Sequence, residues 1–194
     1  MFLKRALVFV SVVGVCALIA PGAAADSANN VVRFGAAWVD PDGEADVNGV
    51  HIDADTAVGY FVDYERRLIP WLGVDLQVGY AKPDITATPI GGGATASQGE
   101  ALLTGSLGVN FHLLARSRVD FYLGAYANYT DFDTFDAATG YGGVVGLDIG
   151  LTKSGLALTI SARYSLIEAD LKSSPGTSVS FDPLVGQLGL GWRF

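Results

Sequence analysis

Apolar residues alternate with small or polar residues along most of the chain after residue 26, in segments of about ten residues separated by turn-rich breaks. Because successive side chains of a β-strand point to opposite faces, this alternation predicts strands with two chemically different faces. No stretch after residue 26 contains the ~18 consecutive apolar residues of a membrane-spanning helix. The pattern predicts eight strands, at residues 32–38, 58–65, 72–80, 103–112, 119–128, 144–151, 156–166 and 184–194.

The second face of these segments is rich in glycine and carries only isolated charges. In the last segment, Leu188, Leu190 and Trp192 share one face, while Gly189 and Gly191 share the other. A water-soluble β-sandwich would also alternate, but its polar face would carry many Lys, Glu and Thr residues. Small residues suit the cramped lumen of a narrow barrel. The sequence therefore predicts an all-β fold, an eight-stranded antiparallel transmembrane β-barrel.

The breaks between the predicted strands alternate in length. Residues 66–71, 113–117 and 153–155 are short breaks, whereas residues 41–55, 81–99, 131–139 and 172–183 are mostly longer. Short periplasmic turns alternating with longer external loops are typical of outer-membrane barrels. Aromatic residues fall near both ends of the strands, where rings sit at the membrane interface; they are Trp71 and Trp192 at the periplasmic ends and Trp38, Tyr80 and Tyr129 at the external ends. The predicted location is the cell outer membrane.

The first 25 residues have the pattern of an export signal. Lys4 and Arg5 precede an apolar run over residues 6–20, then Pro21-Gly22 and three alanines that suit a signal peptidase. The apolar run is shorter than the ~20 residues of a retained anchor helix, which is the alternative. We predict cleavage after Ala25, which gives residues 1–25 as signal peptide and residues 26–194 as the barrel domain.

Cleavage would also change the chemistry of the mature chain. Cys16, the only cysteine, lies in the signal, so the mature chain would have neither a disulfide nor a thiolate metal site. Loss of Lys4 and Arg5 moves the formal net charge from −8 to −10, because all twenty acidic residues lie downstream. This acidity argues against nucleic acid as a partner. The expected surroundings are outer-membrane lipid and lipopolysaccharide.

Two further groups of residues are candidates for a calcium site and for a catalytic site, and the sequence supports neither. The acidic run Asp40 to Asp46 is similar to a calcium loop but lacks the glutamate at the twelfth position, so a solvated acidic loop is the better interpretation. Lipid-modifying barrels need a base near the external rim, but His112 falls at the periplasmic end and His51 falls in a loop. Without a placed base, no serine is an activated nucleophile. We expect no catalysis, no cofactor and no metal, and a mobile external loop at residues 87–99.

The predicted strand directions bring most of the inward charges to the periplasmic end. With both termini periplasmic, the charges at that depth are Arg33, Asp63, Glu65, Asp75, Asp120, Asp148 and Arg193, accompanied by Asn110 and His112. An eight-stranded barrel has room only for side chains, so buried charges must pair. We predict a charge plug in which Arg33 and Arg193 pair with Asp63, Glu65 or Asp75.

Toward the external end, the inward positions become apolar or small. They are Ala37, Phe61, Tyr126 and Val144, together with Gly59 and Gly79, and Arg163 is an exception about midway. A lumen that is apolar above and plugged below excludes a general ion pore. On the residues alone, it fits either uptake of a small hydrocarbon or lipid tail, or simple core packing.

Three patches resemble the OmpW family of eight-stranded outer-membrane proteins. They are residues 31–37 (VVRFGAA), residues 121–130 (FYLGAYANYT), and Asp182-Pro183 leading into residues 189–194 (GLGWRF). Phe121 stands where the family usually has proline, and Trp192 stands in place of a tyrosine. The resemblance implies a narrow barrel whose apolar upper channel passes small hydrophobic molecules toward the membrane. The terminal Phe194 is similar to the signal that the barrel-assembly machinery reads.

Two functions therefore remain in view. The first is a passive channel or carrier for small hydrophobic molecules, which the resemblance favours. The alternative is a structural or adhesive barrel that acts through its external loops, in which Phe132, Phe135 and Phe181 contact a partner.

Overall fold

The computed structural model describes residues 29–42, 44–47, 49–114, 117–170, 172 and 178–194. The predicted signal peptide and Cys16 lie outside these residues. No helix in the described part of the chain is long and apolar enough to cross a membrane. The described strands are β1 (Asn30–Asp40), β2 (Glu44–Val47), β3 (Val50–Ala54), β4 (Ala57–Ile69), β5 (Leu72–Ala81), β6 (Asp84–Pro89), β7 (Ala96–Gly99), β8 (Leu102–His112), β9 (Val119–Asp131), β10 (Ala138–Gly150), β11 (Leu156–Asp170), β12 (Ser178–Phe181) and β13 (Leu184–Arg193).

Eight of these strands form a closed antiparallel barrel. Their order is β10-β9-β8-β5-β4-β1-β13-β11, and the pairing of β10 with β11 closes the wall. Closure gives every wall strand two neighbours, so no unpaired edge meets the lipid. The predicted fold class is confirmed, and each of the eight predicted strands corresponds to one strand of the wall.

Both ends of the described chain meet at one end of the barrel. The Asn30 amide donates to the Phe194 carbonyl at 3.0 Å, and the Phe194 amide donates to the Asn30 carbonyl at 2.9 Å. The short connections β4–β5, β8–β9 and β10–β11 lie at this same end. By the pattern of outer-membrane barrels this end is periplasmic, and the end with the longer connections is external.

The alternation of inward and outward side chains follows the prediction along most of the wall. In β9, for example, Asp120 and Tyr122 are buried, whereas Val119 and Leu123 are exposed to the lipid side. Tyr64 and Val78 depart from it, since both have outward parity and are nevertheless buried. The Tyr64 hydroxyl donates to Asn30 Oδ1 at 2.8 Å, which holds the ring against the first strand.

The longer connections differ from the expected irregular loops. Strands β2, β3, β6 and β7 pair in that order into a second antiparallel sheet at the external end. Residues 87–99, which were predicted to be a loop, are therefore largely a hairpin from β6 to β7. These strands are only four to six residues long and mostly half-buried or exposed. Strands β3 (VHIDA) and β6 (DITATP) do alternate apolar with polar residues, but over too few residues to stand out from a loop.

Candidate functional site

Arg33 is the centre of the charged cluster in the periplasmic half of the lumen. It lies opposite Asp63 in the pairing of β1 with β4, and its Nη1 is 2.6 Å from Asp63 Oδ1. Its Nη2 is 3.0 Å from Glu65 Oε2 and 2.9 Å from Asp148 Oδ2. The guanidinium also faces the ring of Tyr122, with 5.0 Å from Cζ to the ring centroid. One arginine thus joins three carboxylates from β4 and β10.

A second group surrounds Arg67, which sequence reasoning missed. Arg67 is buried, its Nε is 3.2 Å from Glu65 Oε1, and its Nη2 donates to Asp120 Oδ2. His112 lies beside it, with Nε2 2.8 Å from Glu65 Oε1 and Nδ1 3.1 Å from Asp120 Oδ2. The prediction ended the second strand at Glu65 and assigned residues 66–71 to a turn. If the alternation of inward-facing residues had been continued two residues past Glu65, it would have identified Arg67 as an inward-facing residue.

Arg193 lies in the lumen at the periplasmic end, but the predicted partners were wrong. Its Nη2 is 3.4 Å from Asp120 Oδ2 and 3.5 Å from Asp148 Oδ2, and not near Asp63, Glu65 or Asp75. The register explains this, because Arg193 pairs with Val31 and therefore lies two residues closer to the periplasmic end than the position opposite Arg33. Neighbouring strands of a closed barrel are staggered along its axis, so residues at the same depth come from different positions along each strand. The Arg193 side chain therefore reaches the carboxylates of β9 and β10.

Asp75 pairs with Arg163 rather than with Arg33 or Arg193. The distance from Arg163 Nη1 to Asp75 Oδ2 is 3.7 Å, longer than a hydrogen bond. Arg163 Nη2 donates to Ser106 Oγ at 3.1 Å, and its Cζ lies 4.1 Å from the centroid of the Tyr126 ring. Arg163 was predicted to lie about midway along the lumen, and it lies between the charged cluster and the cavity in the external half.

The described residues thus form a compact charge plug in the periplasmic half of the lumen. It contains five carboxylates, four arginines and His112, namely Asp63, Glu65, Asp75, Asp120, Asp148, Arg33, Arg67, Arg163, Arg193 and His112. All are buried except Arg193, which is half-buried. Buried charges persist only when they are paired in this way. A cavity of only about 10 Å³ remains beside Arg33, Asp63 and Asp75.

A larger cavity of about 90 Å³ occupies the external half of the lumen. Ala37, Val39, Phe61 and Ala81 pack together with Val185 as its apolar wall. Its other side is polar, with Gln77, Ser106, Asn128, Arg163, Ser165 and Gln187. The predicted upper-lumen residues Ala37, Phe61 and Tyr126 line this cavity. Val144 does not, since it lines the small cavity beside the plug.

Four side chains border both cavities: Phe61, Gln77, Arg163 and Gln187. The two glutamines exchange amide hydrogen bonds across the lumen, with Nε2 to Oε1 distances of 3.3 and 3.1 Å. Ser161 Oγ also donates to Gln187 Oε1 at 2.9 Å. These residues form the floor of the larger cavity and separate it from the smaller cavity beside Arg33.

An aromatic cluster lies at the external end of the barrel, beside the cavity. Phe132, Phe135 and Phe181 pack with ring centroids 5.0 to 5.8 Å apart, together with Ile167 and Val179. Phe132 and Phe181 also line the cavity. All three phenylalanines are buried, so the expectation that they contact a partner from the loop surface does not fit this conformation.

The two histidines lie in different surroundings. His51 is on β3 of the external sheet, where its Nδ1 is 2.8 Å from Asp46 Oδ1, and His112 is inside the plug. Within the described ranges, no group of His, Cys, Asp or Glu side chains has an arrangement that holds a metal ion.

The fold and this lumen define a class of protein, the small outer-membrane β-barrels, here with a charged plug below and a cavity above. The chain belongs to the family described as outer membrane protein beta-barrel domain, whose sequence profile matches residues 8–194. It therefore resides in the outer membrane. The match is to this broad family, and the resemblance to the OmpW family stays a prediction.

Solved structures agree at the level of the fold. The outer membrane protein OprG from Pseudomonas aeruginosa aligns with a TM-score of 0.68 at 17% identity, over 85% of this chain and 95% of that one. Neisserial surface protein A aligns with a TM-score of 0.58 at 15% identity, over 86% of this chain and 97% of that one. No curated protein sequence matches the chain.

Proposed function

We propose that this barrel is a passive channel or carrier for small hydrophobic molecules, which enter its lumen from the external end. The observation that carries the proposal is the cavity of about 90 Å³, with its apolar wall of Ala37, Val39, Phe61, Ala81 and Val185. Concave, largely apolar sites with a few placed polar groups are the usual binding sites for small molecules.

The route that fits this lumen does not run straight through the barrel. The periplasmic half is filled by the charge plug, and only about 10 Å³ remains free there. A hydrophobic molecule would have to displace paired charges to pass, which is costly. We therefore propose that the molecule leaves the upper lumen toward the membrane, as the resemblance to the OmpW family implies.

The plug has a structural part in this proposal. It closes the periplasmic end against ions, and its ion pairs join the strands to one another in that half of the barrel. Phe194, whose backbone pairs with Asn30, would present the terminal aromatic to the assembly machinery. Nothing in this arrangement requires chemistry on the ligand, so we propose transport or binding without catalysis.

The direct test is permeation through reconstituted barrels. Vesicles with a lipopolysaccharide outer leaflet, with and without the protein, are loaded with a dye that reports entry of a small neutral aromatic such as toluene. The proposal predicts faster entry of toluene with the protein, and no change for glucose or chloride. Equal toluene entry in both preparations would overturn it.

A second function is favoured by one observation, the ordered external sheet formed by β2, β3, β6 and β7. Such a sheet presents a fixed surface to the medium, as an adhesive barrel would need. This candidate predicts that replacement of residues 84–99 by a short turn abolishes cell adhesion and leaves toluene entry unchanged. The channel proposal predicts no role for this sheet in adhesion.

A further inference from the structure

The cavity in the external half is chemically two-sided, which a purely hydrocarbon-binding site would not be. Its apolar wall includes Val39, Phe61 and Val185, while its floor carries Gln77, Gln187 and Arg163. A ligand that fits both sides has an apolar body and a polar head. The charge of the floor decides what that head is.

Arg163 supplies that charge. It is buried, yet its nearest carboxylate oxygen, on Asp75, is 3.7 Å away, and its Nη2 donates only to the neutral Ser106 hydroxyl. By contrast, Arg33 has three carboxylates within 3.0 Å. A guanidinium has five N–H donors and binds a carboxylate through two of them at once. Arg163 therefore has capacity for a further anionic partner on the side that faces the cavity.

The surroundings of Arg163 favour a single negative charge on a flat group. The Tyr126 ring lies against the guanidinium at 4.1 Å and holds its plane. Below it, Asp63 and Asp75 lie along the small cavity, so a deeper or more highly charged anion would meet their carboxylates. A cation would meet Arg163 itself. A planar carboxylate that stays above the floor avoids both.

We propose that the upper lumen binds small monocarboxylates with an apolar body, the size of a single aromatic ring, with the carboxylate on Arg163 and the ring against Phe61, Ala37 and Val39. This inference rests on the proposed function and names its substrate class. It makes Arg163 a specificity-determining residue, which separates acids from neutral hydrocarbons of the same shape.

The test compares benzoate with benzamide, which has the same shape and no charge. Binding to the full barrel in lipid nanodiscs is measured by ligand-observed NMR at neutral pH. We expect benzoate to bind about tenfold more tightly than benzamide. Arg163→Gln should reduce that ratio to about one, and Arg163→Lys should restore part of it. Arg66→Gln, the same change at an exposed arginine of β4, is the matched control.

The outcomes separate this inference from the proposed function. Equal binding of benzoate and benzamide by the wild type would overturn the inference, as would a preference for benzoate that persists in a folded Arg163→Gln variant. Toluene entry would still support the channel in either case. Arg163→Gln is used only if it gives the heat-modifiable form of a folded barrel. If it does not, two measurements on the wild type decide the inference: the ratio of benzoate to benzamide affinity, and competition between benzoate and toluene. The inference requires that benzoate binds more tightly than benzamide and that benzoate and toluene displace each other.

Discussion

Arg33 and Asp63 lie opposite each other on β1 and β4, and their side chains meet at 2.6 Å in the centre of the plug. Because Glu65 and Asp148 contact the same guanidinium, β1, β4 and β10 are joined through one cation. The stability of the periplasmic half therefore depends on Arg33 more than on any single carboxylate around it.

Replacement of that cation should strongly weaken the barrel. Arg33→Leu removes the arginine that contacts Asp63, while Glu65 keeps Arg67 and Asp148 keeps Arg193. The loss of one partner in a buried pair costs about 3–5 kcal/mol. We expect this fall in the free energy of unfolding, measured in urea with the barrel in lipid vesicles. Arg66→Leu on the exposed face of β4 should change it by about 0.5 kcal/mol or less. A similar small change for both variants would contradict the role of Arg33.

Arg193 should matter less than Arg33. Its side chain is 16% exposed, and its two carboxylate contacts, at 3.4 and 3.5 Å, are longer than those of Arg33. Asp120 keeps Arg67, and Asp148 keeps Arg33, when Arg193 is removed. Arg193→Leu should therefore cost about 1.5 kcal/mol in the same urea measurement. A loss as large as that of Arg33→Leu would show that the periplasmic end depends on the terminal strand instead.

The wall of the barrel was predictable because lipid and lumen impose opposite demands on alternate residues. Leu188, Leu190 and Trp192 face lipid, while Gln187 is buried inside, so the period of two is visible in the sequence alone. The same alternation predicted that Arg33 and Asp63 both face the lumen. Strand ends were less visible, and Arg67 was missed because residues 66–71 were assigned to a short connection, whereas β4 continues to Ile69.

Contacts across the lumen could not be predicted from parity. Parity fixes the face of a residue, but the stagger of the closed barrel fixes which strands meet at a given depth. Arg193 therefore meets Asp120 and Asp148, and Arg163 meets Asp75, which no count along a single strand reveals. The external sheet was missed for a different reason, because its strands are only four to six residues long and lie within segments that the sequence analysis assigned to loops.

Glycine at position 146 should be required by the ring of Tyr122. A Cβ at Gly146 would overlap the hydroxyl end of that ring, and the ring is held between Arg33 and His112. Gly146→Ala should therefore lower the free energy of unfolding by about 1–3 kcal/mol. Gly143→Ala on the same strand, where the new Cβ finds only the Gly124 carbonyl at 3.6 Å, should be nearly neutral. Equal effects of the two changes would contradict the packing of Tyr122.

The aromatic cluster of Phe132, Phe135 and Phe181 should be separable from the barrel. Phe135 is 1% exposed and packs edge-on against Phe132 and Phe181, so Phe135→Ala should remove about 3–5 kcal/mol of packing from this cluster. We expect faster limited proteolysis between residues 131 and 137, with the protease-resistant barrel unchanged. Ile90→Ala, at a 59% exposed position in the turn after β6, serves as the control and should leave the cleavage rate as in the wild type.

The central claim is that small hydrophobic molecules occupy the upper lumen, and one pair of variants tests it most directly. Gly79 lines the cavity, and a Cβ there meets only the Tyr60 carbonyl at 3.9 Å, so Gly79→Leu fills the cavity without a backbone clash. Gly105 is on the outward face of the neighbouring strand, where a Cβ meets nothing within 4 Å, so Gly105→Leu adds the same side chain to the lipid face.

The measurement is protein-dependent toluene entry into vesicles with a lipopolysaccharide leaflet, for wild type and both folded variants. The account predicts that Gly79→Leu lowers the entry rate at least about tenfold, whereas Gly105→Leu keeps the wild-type rate, as expected if the ligand must occupy the filled volume. Equal rates for Gly79→Leu and wild type would contradict it.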